Sequence, residues 1–372
     1  MSEIITILHV FGRLDRGGAE TLIIELFKTL DKSKFHFDFA VHGDKIGDYE
    51  KTVQLNGGNV YHLPKYKVYN HFKYVSAWKR LLSLNSFDVV HAHVRSTASI
   101  FLHIAKKYNI KTISHSHNTS SGHGIKAAYK NFLQKRIVKN TDFLMACSVD
   151  SAKWLFGKKI FNVRKVQILN NAIDTDKFTF SLVNRLRIRK ELGINNEVVI
   201  GHVGRFHDQK NHTRIISIFS TYNKYNQNSK LILVGDGELK PKILNQVRAL
   251  KLTDKVIFTG VRSDTNSLFS AFDILLFPSI HEGLPLVLVE AQTSGLPCIV
   301  SDVITTEINL TDLVKYVSLN KDDSEWVKVI ENSLNIKRDI VYSNIMKNNG
   351  FDLASNIAIL EKIYSDILEV KE

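Results

Sequence analysis

Two glutamates, Glu282 and Glu290, stand on either side of a Gly-Leu-Pro turn in the stretch PSIHEGLPLVLVEAQTSGLP. The preceding FDILLF is typical of a buried strand, and a helix is expected from Pro285, because proline suits the first helical position. The N–H groups of Leu286 and Val287 would then lie unpaired at a helix N-terminus, which favours an anionic group. A carboxylate on either side suits a phosphorylated, hydroxyl-rich ligand such as a nucleotide sugar. A glutamate there is also a common partner of the helix dipole, so the spacing alone leaves both interpretations open.

A second group of candidate residues lies in GRFHDQKNH, directly after the predicted strand Val198–Val203. Gly204 allows the chain to turn, and Arg205 and Lys210 lie on the loop before a helix. Two cations beside a helix N-terminus predict a clamp for a diphosphate. The alternative is an ordinary solvent-exposed basic loop.

The first strand of the chain ends in GRLDRGGAE, where Gly17 and Gly18 open a helix. Their backbone N–H groups can approach a bound group closely. The pattern is not the GxGxxG dinucleotide fingerprint, and a pair of glycines is more often simply a tight turn.

Several histidines stand at strand ends. His115 is expected to be buried in its strand, whereas His117 and Asn118 emerge from the carboxyl end, where ligands bind in parallel sheets. His91 and His93 form an HxH pair, but no cysteine or acidic third ligand is near in sequence. No metal is therefore expected.

Strands alternate with amphipathic helices in both halves, which predicts two doubly wound parallel sheets of the Rossmann type facing a cleft. The first domain is placed at 1–175, the second at 190–351, and the polar segment Asp174–Asn196 is interpreted as a linker with a short helix. A helix over 352–372 is expected to pack back on the first domain. The predicted strands are Ile4–Val10, Phe35–Val41, Asn59–His62, Asp88–Ala92, Thr112–His115, Phe143–Ala146, Val198–Val203, Leu231–Val234, Val256–Thr259, Ile274–Phe277, Cys298–Val300 and Tyr316–Val317. The predicted helices of the first half are Glu20–Leu30, Asp48–Asn56, Phe72–Leu84, Ala98–Tyr108, Ile125–Val138 and Asp150–Phe156.

Composition narrows the class of protein. The 372 residues include two cysteines in apolar surroundings, which indicates reduced core residues and no disulfide framework. Residues 1–180 carry 27 Lys and Arg against 14 Asp and Glu, whereas residues 181–372 carry 23 of each. Such asymmetry predicts an anionic partner for the first domain, either nucleic acid, an acidic substrate or an anionic membrane. The alternative is that the lysines only solvate helix faces.

The ordered motifs GGAE, HSHN, NNAID, GRFHDQKN, GDGE, FTGVRSD and EGLPLVLVEAQTSGLP resemble those of the family 4 retaining glycosyltransferases, which have the GT-B fold. The resemblance spans nearly the whole chain. It is nearest to bacterial capsule and exopolysaccharide enzymes that extend a lipid-linked oligosaccharide.

The resemblance implies roles for single residues. Glu282 would contact donor-sugar hydroxyls, beside Gly283, and Glu290 would hold the ribose. Arg205 and Lys210, which follow Gly204, would bind the donor diphosphate with the Leu286 and Val287 amides. The remaining assignments place Val261 and Arg262 near the base, Gly17 and Gly18 near diphosphate and acceptor, and His117 near the reacting carbon. One departure from the family pattern is Ala172, which stands where the family usually has glycine and would be strained if that position needs a positive φ.

The expected activity is transfer of a hexosyl unit from a nucleotide diphosphate sugar to a lipid-linked saccharide, and the expected nucleotide is UDP. Retention of configuration is implied by the resemblance alone. No cofactor and no metal are expected, and the enzyme is placed in the cytoplasm, held peripherally on the inner membrane through its basic N-terminal domain. The alternatives are a UDP-N-acetylglucosamine 2-epimerase and a non-enzymatic binder of nucleic acid or membrane. A nucleic-acid partner is not expected, since no aromatic platform accompanies the basic residues.

Overall fold

Two parallel sheets organise the chain. The computed structural model describes residues 4–117, 134 and 136–369. Unit 1 contains Met1–Ala172 and Leu353–Glu372, and unit 2 contains Ile173–Asp352. Most strand residues in both units are buried, as expected of parallel strands that helices cover on both faces.

In unit 1 the strand order is β3-β2-β1-β4-β5-β6-β7, and all pairs are parallel. The order reverses between β1 and β4, which are neighbours, so loops after these strands meet at one sheet edge. The strands are β1 (Ile5–Phe11), β2 (Phe35–His42), β3 (Val60–Leu63), β4 (Val89–Ala92), β5 (Lys111–Ser116), β6 (Phe143–Ala146) and β7 (Val166–Ile168). The described helices are α1 (Gly18–Thr29), α2 (Glu50–Leu55), α3 (His71–Leu84), α4 (Ala98–Lys107), α5 (Val149–Phe156) and, near the C-terminus, α14 (Leu353–Glu369).

Unit 2 repeats this arrangement in the order β10-β9-β8-β11-β12-β13, again all parallel. Here the reversal falls between β8 and β11. The strands are β8 (Val198–Val203), β9 (Ser229–Val234), β10 (Val256–Gly260), β11 (Ile274–Phe277), β12 (Cys298–Ser301) and β13 (Val314–Val317). The helices are α6 (Thr175–Phe178), α7 (Leu182–Glu191), α8 (His212–Tyr225), α9 (Lys240–Ala249), α10 (Thr265–Ala271), α11 (Leu286–Thr293), α12 (Asp323–Ser333) and α13 (Val341–Asn348).

The two Rossmann-like sheets confirm the predicted fold class, and every predicted strand is present within one or two residues at each end. Strand β7 was not predicted, because three residues at a sheet edge carry too little pattern. The predicted helix Ile125–Val138 lies almost wholly outside the described residues, as does Asn118.

The polar segment Asp174–Asn196 is not a simple linker. It holds two helices, and α7 packs into unit 2, where Arg185 and Arg189 each place a guanidinium nitrogen 2.6 Å from the carboxylate of Asp273. Because charged side chains hold α7 in place, this helix has no continuous apolar stripe. The spacing of hydrophobic residues in the sequence therefore does not predict that α7 packs into unit 2.

The C-terminal helix α14 buries Leu360, Ile363 and Tyr364 in the same core as Leu26 and Phe37 of unit 1. Its apolar spacing of three and four residues makes one continuous buried stripe. The helix thus completes the core of unit 1 although it follows unit 2 in sequence.

The expected strain at Ala172 is absent. The non-glycine residues with positive φ among those described are Asn109, Asn211 and Lys251. Ala172 is buried with an ordinary backbone, so alanine fits there without cost.

Candidate active site

The loops that follow β8 and β11 meet at the point in unit 2 where the strand order reverses. The N–H of Ile280 donates to the carbonyl of Gln209 at 2.8 Å, and the Asn211 amide donates to the carbonyl of Pro278 at 3.1 Å. These bonds join the basic loop to the carboxylate loop. The two sequence motifs therefore form one site at the carboxyl edge of the sheet.

Glycines make the close approach of backbone segments possible here. A Cβ on Gly204 would lie 2.9 Å from Nε2 of His202 and 3.3 Å from the Lys210 side chain. A Cβ on Gly235 would lie 2.1 Å from the carbonyl oxygen of Gly204, and its φ is +134°. Larger residues would displace the loop that carries the cations.

Lys210 and Glu282 form the central ion pair of the site. Lys210 Nζ lies 2.6 Å from Glu282 Oε1, and the Gln209 amide donates to Glu282 Oε2 at 3.2 Å. The lysine ammonium also lies 4.8 Å from the ring centre of Phe277. Only 9% of the Glu282 side chain is exposed, so the pair is largely shielded from solvent and its geometry is well defined. Gln209 and Phe277 were not singled out from the sequence.

Arg205 differs from Lys210 although both were predicted to clamp a diphosphate. Its side chain is exposed and has no hydrogen-bond or ion-pair partner within the described part of the chain. The two cations therefore have different surroundings. Arg205 is thus available to an anion, whereas Lys210 already shares its charge with Glu282.

Helix α11 begins at Leu286, one residue later than predicted, and Pro285 precedes it as the cap. Proline at this position has φ −78° and ψ 103°, outside the helical region. The N–H groups of Leu286 and Val287 have no acceptor among the residues described, as expected in a first helical turn. Gly283 lies exposed in the loop before them.

Glu290 lies in the second turn of α11 and is half-buried, and its carboxylate has no hydrogen-bond partner in the part of the chain described. Burial raises the pKa of its carboxyl to about 8, and the charge of Lys177 opposes this shift only weakly. Burying a carboxyl that has no partner costs free energy of folding. Such a group is therefore a candidate for ligand binding.

Val261 and Arg262 follow β10, the strand at the edge of the sheet. Val261 is 69% exposed. Arg262 is held by two carboxylates, Asp264 at 2.7 Å and Glu191 at 2.5 Å, and these hydrogen bonds raise its pKa. Its charge is therefore neutralised locally, which leaves its backbone and the exposed Val261 as the groups that can meet a ligand.

In unit 1, Gly17 caps α1 and Gly18 is its first residue. A Cβ on Gly17 would lie 2.3 Å from a carboxylate oxygen of Glu20, so this position suits glycine because the glutamate folds back over the helix start. Neither glycine has a positive φ. Burial raises the pKa of the Glu20 carboxyl.

The predicted residue His117 ends a hydrogen-bonded chain of imidazoles. His93 Nδ1 lies 2.9 Å from His117 Nε2, and His93 Nε2 lies 2.9 Å from His9 Nδ1. The hydroxyl of Tyr364 on α14 lies 2.7 Å from His91 Nδ1 and 3.4 Å from His9 Nε2. The strand order explains the cluster, because β1, β4 and β5 are neighbours.

Burial keeps these imidazoles neutral. It lowers the pKa of His9 and of His117 to about 3, and it lowers the pKa of His91, His93 and His115 well below the ordinary value of 6.5. His115 is buried, as expected. The sequence argument against a metal considered only cysteine and acidic ligands. A third imidazole comes instead from a neighbouring strand, with nitrogens of His9, His91 and His93 within 4.8 Å of one another.

A cavity of about 1300 Å³ opens at the carboxyl edge of the unit 1 sheet, lined by the segments after β1, β2, β3 and β4. Three of its cations, Arg16, Lys45 and Lys65, have no ion-pair partner among the residues described. The sequence signal for this site was the basic first half, but only the strand order places the charges together. The basic residues of the lining are Arg13, Arg16, Lys45, Lys65, Lys67 and Arg95.

Comparison with known proteins identifies the class. Residues 184–350 match the family described as Glycosyl transferases group 1, and residues 16–177 match Glycosyltransferase Family 4. The glycosyltransferase EpsF of Bacillus subtilis (strain 168) is 32% identical over 371 residues, which cover 96% of each chain. The chain therefore belongs to glycosyltransferase family 4, and it is a glycosyltransferase.

Two further relatives are informative. The UDP-Gal:alpha-D-GlcNAc-diphosphoundecaprenol alpha-1,3-galactosyltransferase of Escherichia coli is 27% identical over 78% of each chain. The crystal structure of HepE from Anabaena in complex with UDP superposes with a TM-score of 0.76 at 18% identity, covering 98% of this chain and 100% of that one. The structural likeness confirms the GT-B fold. The family decides against the epimerase and the nucleic-acid binder as alternatives.

Proposed function

We propose that the enzyme transfers a hexosyl unit from a UDP-sugar to a hydroxyl of a lipid-linked saccharide, with retention of configuration, in capsule or exopolysaccharide synthesis. The observation that carries this proposal is the ion pair between Lys210 and Glu282, on loops that also carry the exposed Arg205 and lead to first-turn N–H groups of α11 with no acceptor among the described residues. Cationic and hydrogen-bonding groups at the end of a parallel sheet suit a diphosphate.

The chemistry requires stabilisation of negative charge on the departing diphosphate. A cation about 4 Å from a unit charge contributes roughly 4 kcal/mol at an effective dielectric of about 20. Arg205, Lys210 and the helix N-terminus supply that stabilisation without a metal. No side chain of the unit 2 site is placed as a general base, and we assign the acceptor proton to the leaving phosphate oxygen.

The carboxylates serve the neutral parts of the donor. Glu282, oriented by Lys210 and Gln209, accepts hydrogen bonds from sugar hydroxyls. Glu290 accepts from the ribose hydroxyls, and a carboxylate that has no hydrogen-bond partner among the described residues supports that role. The base lies against Val261 and the backbone of Arg262. For unit 1, the family resemblance assigns Gly17 and Gly18 to the diphosphate and the acceptor, and His117 to the reacting carbon.

UDP as the donor nucleotide is supported by two relatives. HepE was crystallised with UDP, and the name of the Escherichia coli relative specifies UDP-Gal as donor and a diphosphoundecaprenol-linked GlcNAc as acceptor. An acceptor of this kind carries a diphosphate. The unpaired cations Arg16, Lys45 and Lys65 around the unit 1 cavity suit such a group.

A lipid-linked acceptor lies at a membrane, so we place the enzyme on the cytoplasmic face of the inner membrane. Among the described residues, no helix is both long enough and apolar enough to cross a bilayer. Peripheral binding through the basic first half accounts for the charge asymmetry, with each Lys or Arg near an anionic surface contributing about 1 kcal/mol.

The test is UDP or GDP release by the purified protein from a panel of UDP- and GDP-sugars, with and without a membrane lipid extract. We expect release from one UDP-sugar only when the extract is present, and NMR of the product then shows the anomeric configuration. Lys210→Ala serves as the inactive control. Release that does not depend on an acceptor, or an inverted product, contradicts the proposal.

A further inference from the structure

An exposed apolar patch lies at the start of α3, beside the unit 1 cavity. Val68, Tyr69 and Phe72 are 65%, 81% and 87% exposed. Val68 and Tyr69 lie on the short turn that leads into α3, and Phe72 lies in the first turn of that helix, so one short segment exposes all three apolar side chains. Large apolar side chains exposed together in this way mark an interaction surface more often than isolated ones do.

The patch is held in place by local hydrogen bonds. A short 3-10 turn spans Val68–Asn70, and the backbone N–H of Lys67 donates to the Asn70 side chain at 2.7 Å. The Asn70 amide donates in turn to the carbonyl of Lys65 at 3.0 Å. The turn leads directly into α3, so the apolar side chains project from an ordered backbone.

Rotation of α3 cannot bury the patch. Tyr74 and Trp78 are completely buried and anchor the helix, and the Tyr74 hydroxyl lies 2.8 Å from Nε2 of His42. Phe72 precedes Tyr74 by two positions, which is about 200° around a helix. The two rings therefore face opposite sides, and unit 1 satisfies Tyr74 while Phe72 stays in solvent.

The charge around the patch indicates what covers it. Residues 51–87 contain six Lys or Arg and no Asp or Glu. Lys65, Lys67 and Lys73 flank the apolar side chains, and the first two also line the cavity. Aromatic side chains between lysines suit the interface of an anionic bilayer, where rings enter the headgroup region and ammonium groups meet lipid phosphates.

We propose that Val68, Tyr69 and Phe72 insert into the surface of an anionic phospholipid bilayer, with Lys73 and its neighbours on the headgroups. Insertion there would hold the cavity mouth at the membrane, where a lipid-linked acceptor presents its saccharide. Only this last link rests on the proposed function, because bilayer binding itself is independent of any sugar donor.

Co-sedimentation with vesicles of 30% phosphatidylglycerol in phosphatidylcholine, without substrates, tests the proposal. We expect the double variant Tyr69→Ser/Phe72→Ser to bind at least about ten-fold more weakly than the wild type, and Lys73→Gln to bind about three- to five-fold more weakly. Leu84→Ser, at the other end of α3, and Tyr225→Ser in unit 2 are matched controls, since both residues are about as exposed, at 70% and 71%. Equal binding by the double variant and the wild type overturns the proposal.

A site-specific probe separates insertion from other roles of the patch. Both native cysteines are buried, so an environment-sensitive dye attaches selectively at Phe72→Cys, with Tyr225→Cys as control. We expect a blue shift with anionic vesicles for the first label only. If the label reports instead on self-association, seen by size exclusion and lost in the double variant, the patch joins two copies of the chain and the bilayer proposal is wrong.

Hydrogen exchange across the unit 1 sheet that matches the wild type shows that Tyr69→Ser/Phe72→Ser folds, since both residues belong to that unit. Unchanged UDP binding shows in addition that unit 2 is intact. A wild type that binds vesicles but transfers no sugar leaves the bilayer proposal standing and overturns the proposed function. If the wild type transfers sugar to a soluble acceptor but does not bind vesicles, the bilayer proposal is wrong and the proposed glycosyl transfer stands.

Discussion

The two sheets share a strand order but carry different chemistry at their carboxyl edges. In unit 1 the reversal between β1 and β4 holds neutral, buried histidines and three cations that have no ion-pair partner among the described residues. In unit 2 the reversal between β8 and β11 holds the Lys210–Glu282 pair, and the lone carboxyl of Glu290 lies on the helix after β11. The shared order determines where a site forms, whereas the side chains on the loops determine what it binds.

Protonation behaviour is the sharpest difference between the two units. Burial lowers the pKa of six described histidines in unit 1 but of only two in unit 2. The affected residues are His9, His42, His91, His93, His115 and His117 in unit 1, and His202 and His212 in unit 2. Below about pH 6.5 these histidines are protonated in the unfolded chain but stay neutral in the folded chain. Each of them therefore contributes its full stability above about pH 6.5, and this contribution is lost as the pH falls.

Acidification should therefore loosen unit 1 first, and this is the largest effect that we expect. Each neutral histidine removes about 1.4 kcal/mol of stability per pH unit below 6.5. Hydrogen exchange followed by mass spectrometry at pH 7.5 and 5.5, corrected for intrinsic rates, measures the two units separately. Equal acceleration in both units would refute the expectation.

His115→Phe sharpens that measurement. Neither ring nitrogen of His115 has a hydrogen-bond partner among the described residues, so phenylalanine of similar shape loses no bond and removes one titrating group. The pH dependence of unit 1 should become flatter. The exposed His103→Gln, on α4 of the same unit, should leave it unchanged.

The cations of unit 2 should have the largest effect on turnover. Arg205→Ala or Lys210→Ala removes charge stabilisation from the leaving diphosphate, so kcat should fall by about 10²–10³-fold. The control Arg248→Ala changes an exposed arginine on α9. A loss of less than about three-fold in both variants falsifies the clamp assignment.

The structure adds a distinction between the two cations that the sequence did not contain. Lys210→Ala also leaves the largely buried Glu282 without its partner, so this variant should lose donor affinity and stability together with turnover. Arg205→Ala should keep stability. Thermal unfolding of the two variants beside their kinetic constants tests this separation, and equal melting temperatures would contradict it.

The sequence predicted the sheets well because buried parallel strands are continuous apolar runs between turn residues. It predicted Glu282 and Lys210 as members of one site, since both follow strands that turn out to be neighbours. It missed the packing of α7, because Arg185 and Arg189 are anchored by Asp273 rather than by an apolar stripe.

Three-dimensional proximity explains the other omissions. His9 lies on β1, whereas His93 and His117 directly follow β4 and β5, and only the strand order makes the three a hydrogen-bonded chain. Tyr364 joins them from the opposite end of the chain. The same holds for the cavity, whose cations follow four different strands.

Glu290 should make the stability of unit 2 depend on pH in the alkaline range, as the histidines do for unit 1 in the acidic range. Its raised pKa means that its contribution to stability is complete below its ordinary value of 4.5 and is lost as the pH rises through about 8. Glu290→Gln should therefore melt about 2–4 °C higher than the wild type at pH 9 and equally at pH 4. At pH 9, where the wild-type carboxyl is ionised, Glu290→Gln should also bind UDP about ten-fold more weakly, since an amide is a poorer acceptor for hydroxyls than a carboxylate. Unchanged affinity by calorimetry would remove Glu290 from the nucleotide site.

The smallest effect that we expect concerns the unpaired cations of unit 1. Lys45→Gln/Lys65→Gln removes two charges from the cavity rim, so KM for a diphosphate-linked acceptor should rise about five-fold at low salt while the affinity for UDP stays the same. The difference should shrink as salt is added, because exposed charges are screened. Lys158→Gln/Lys159→Gln, two exposed lysines of the same unit outside the cavity lining, is the matched control. If the cavity variant loses UDP affinity instead, the two sheets do not divide acceptor and donor between them.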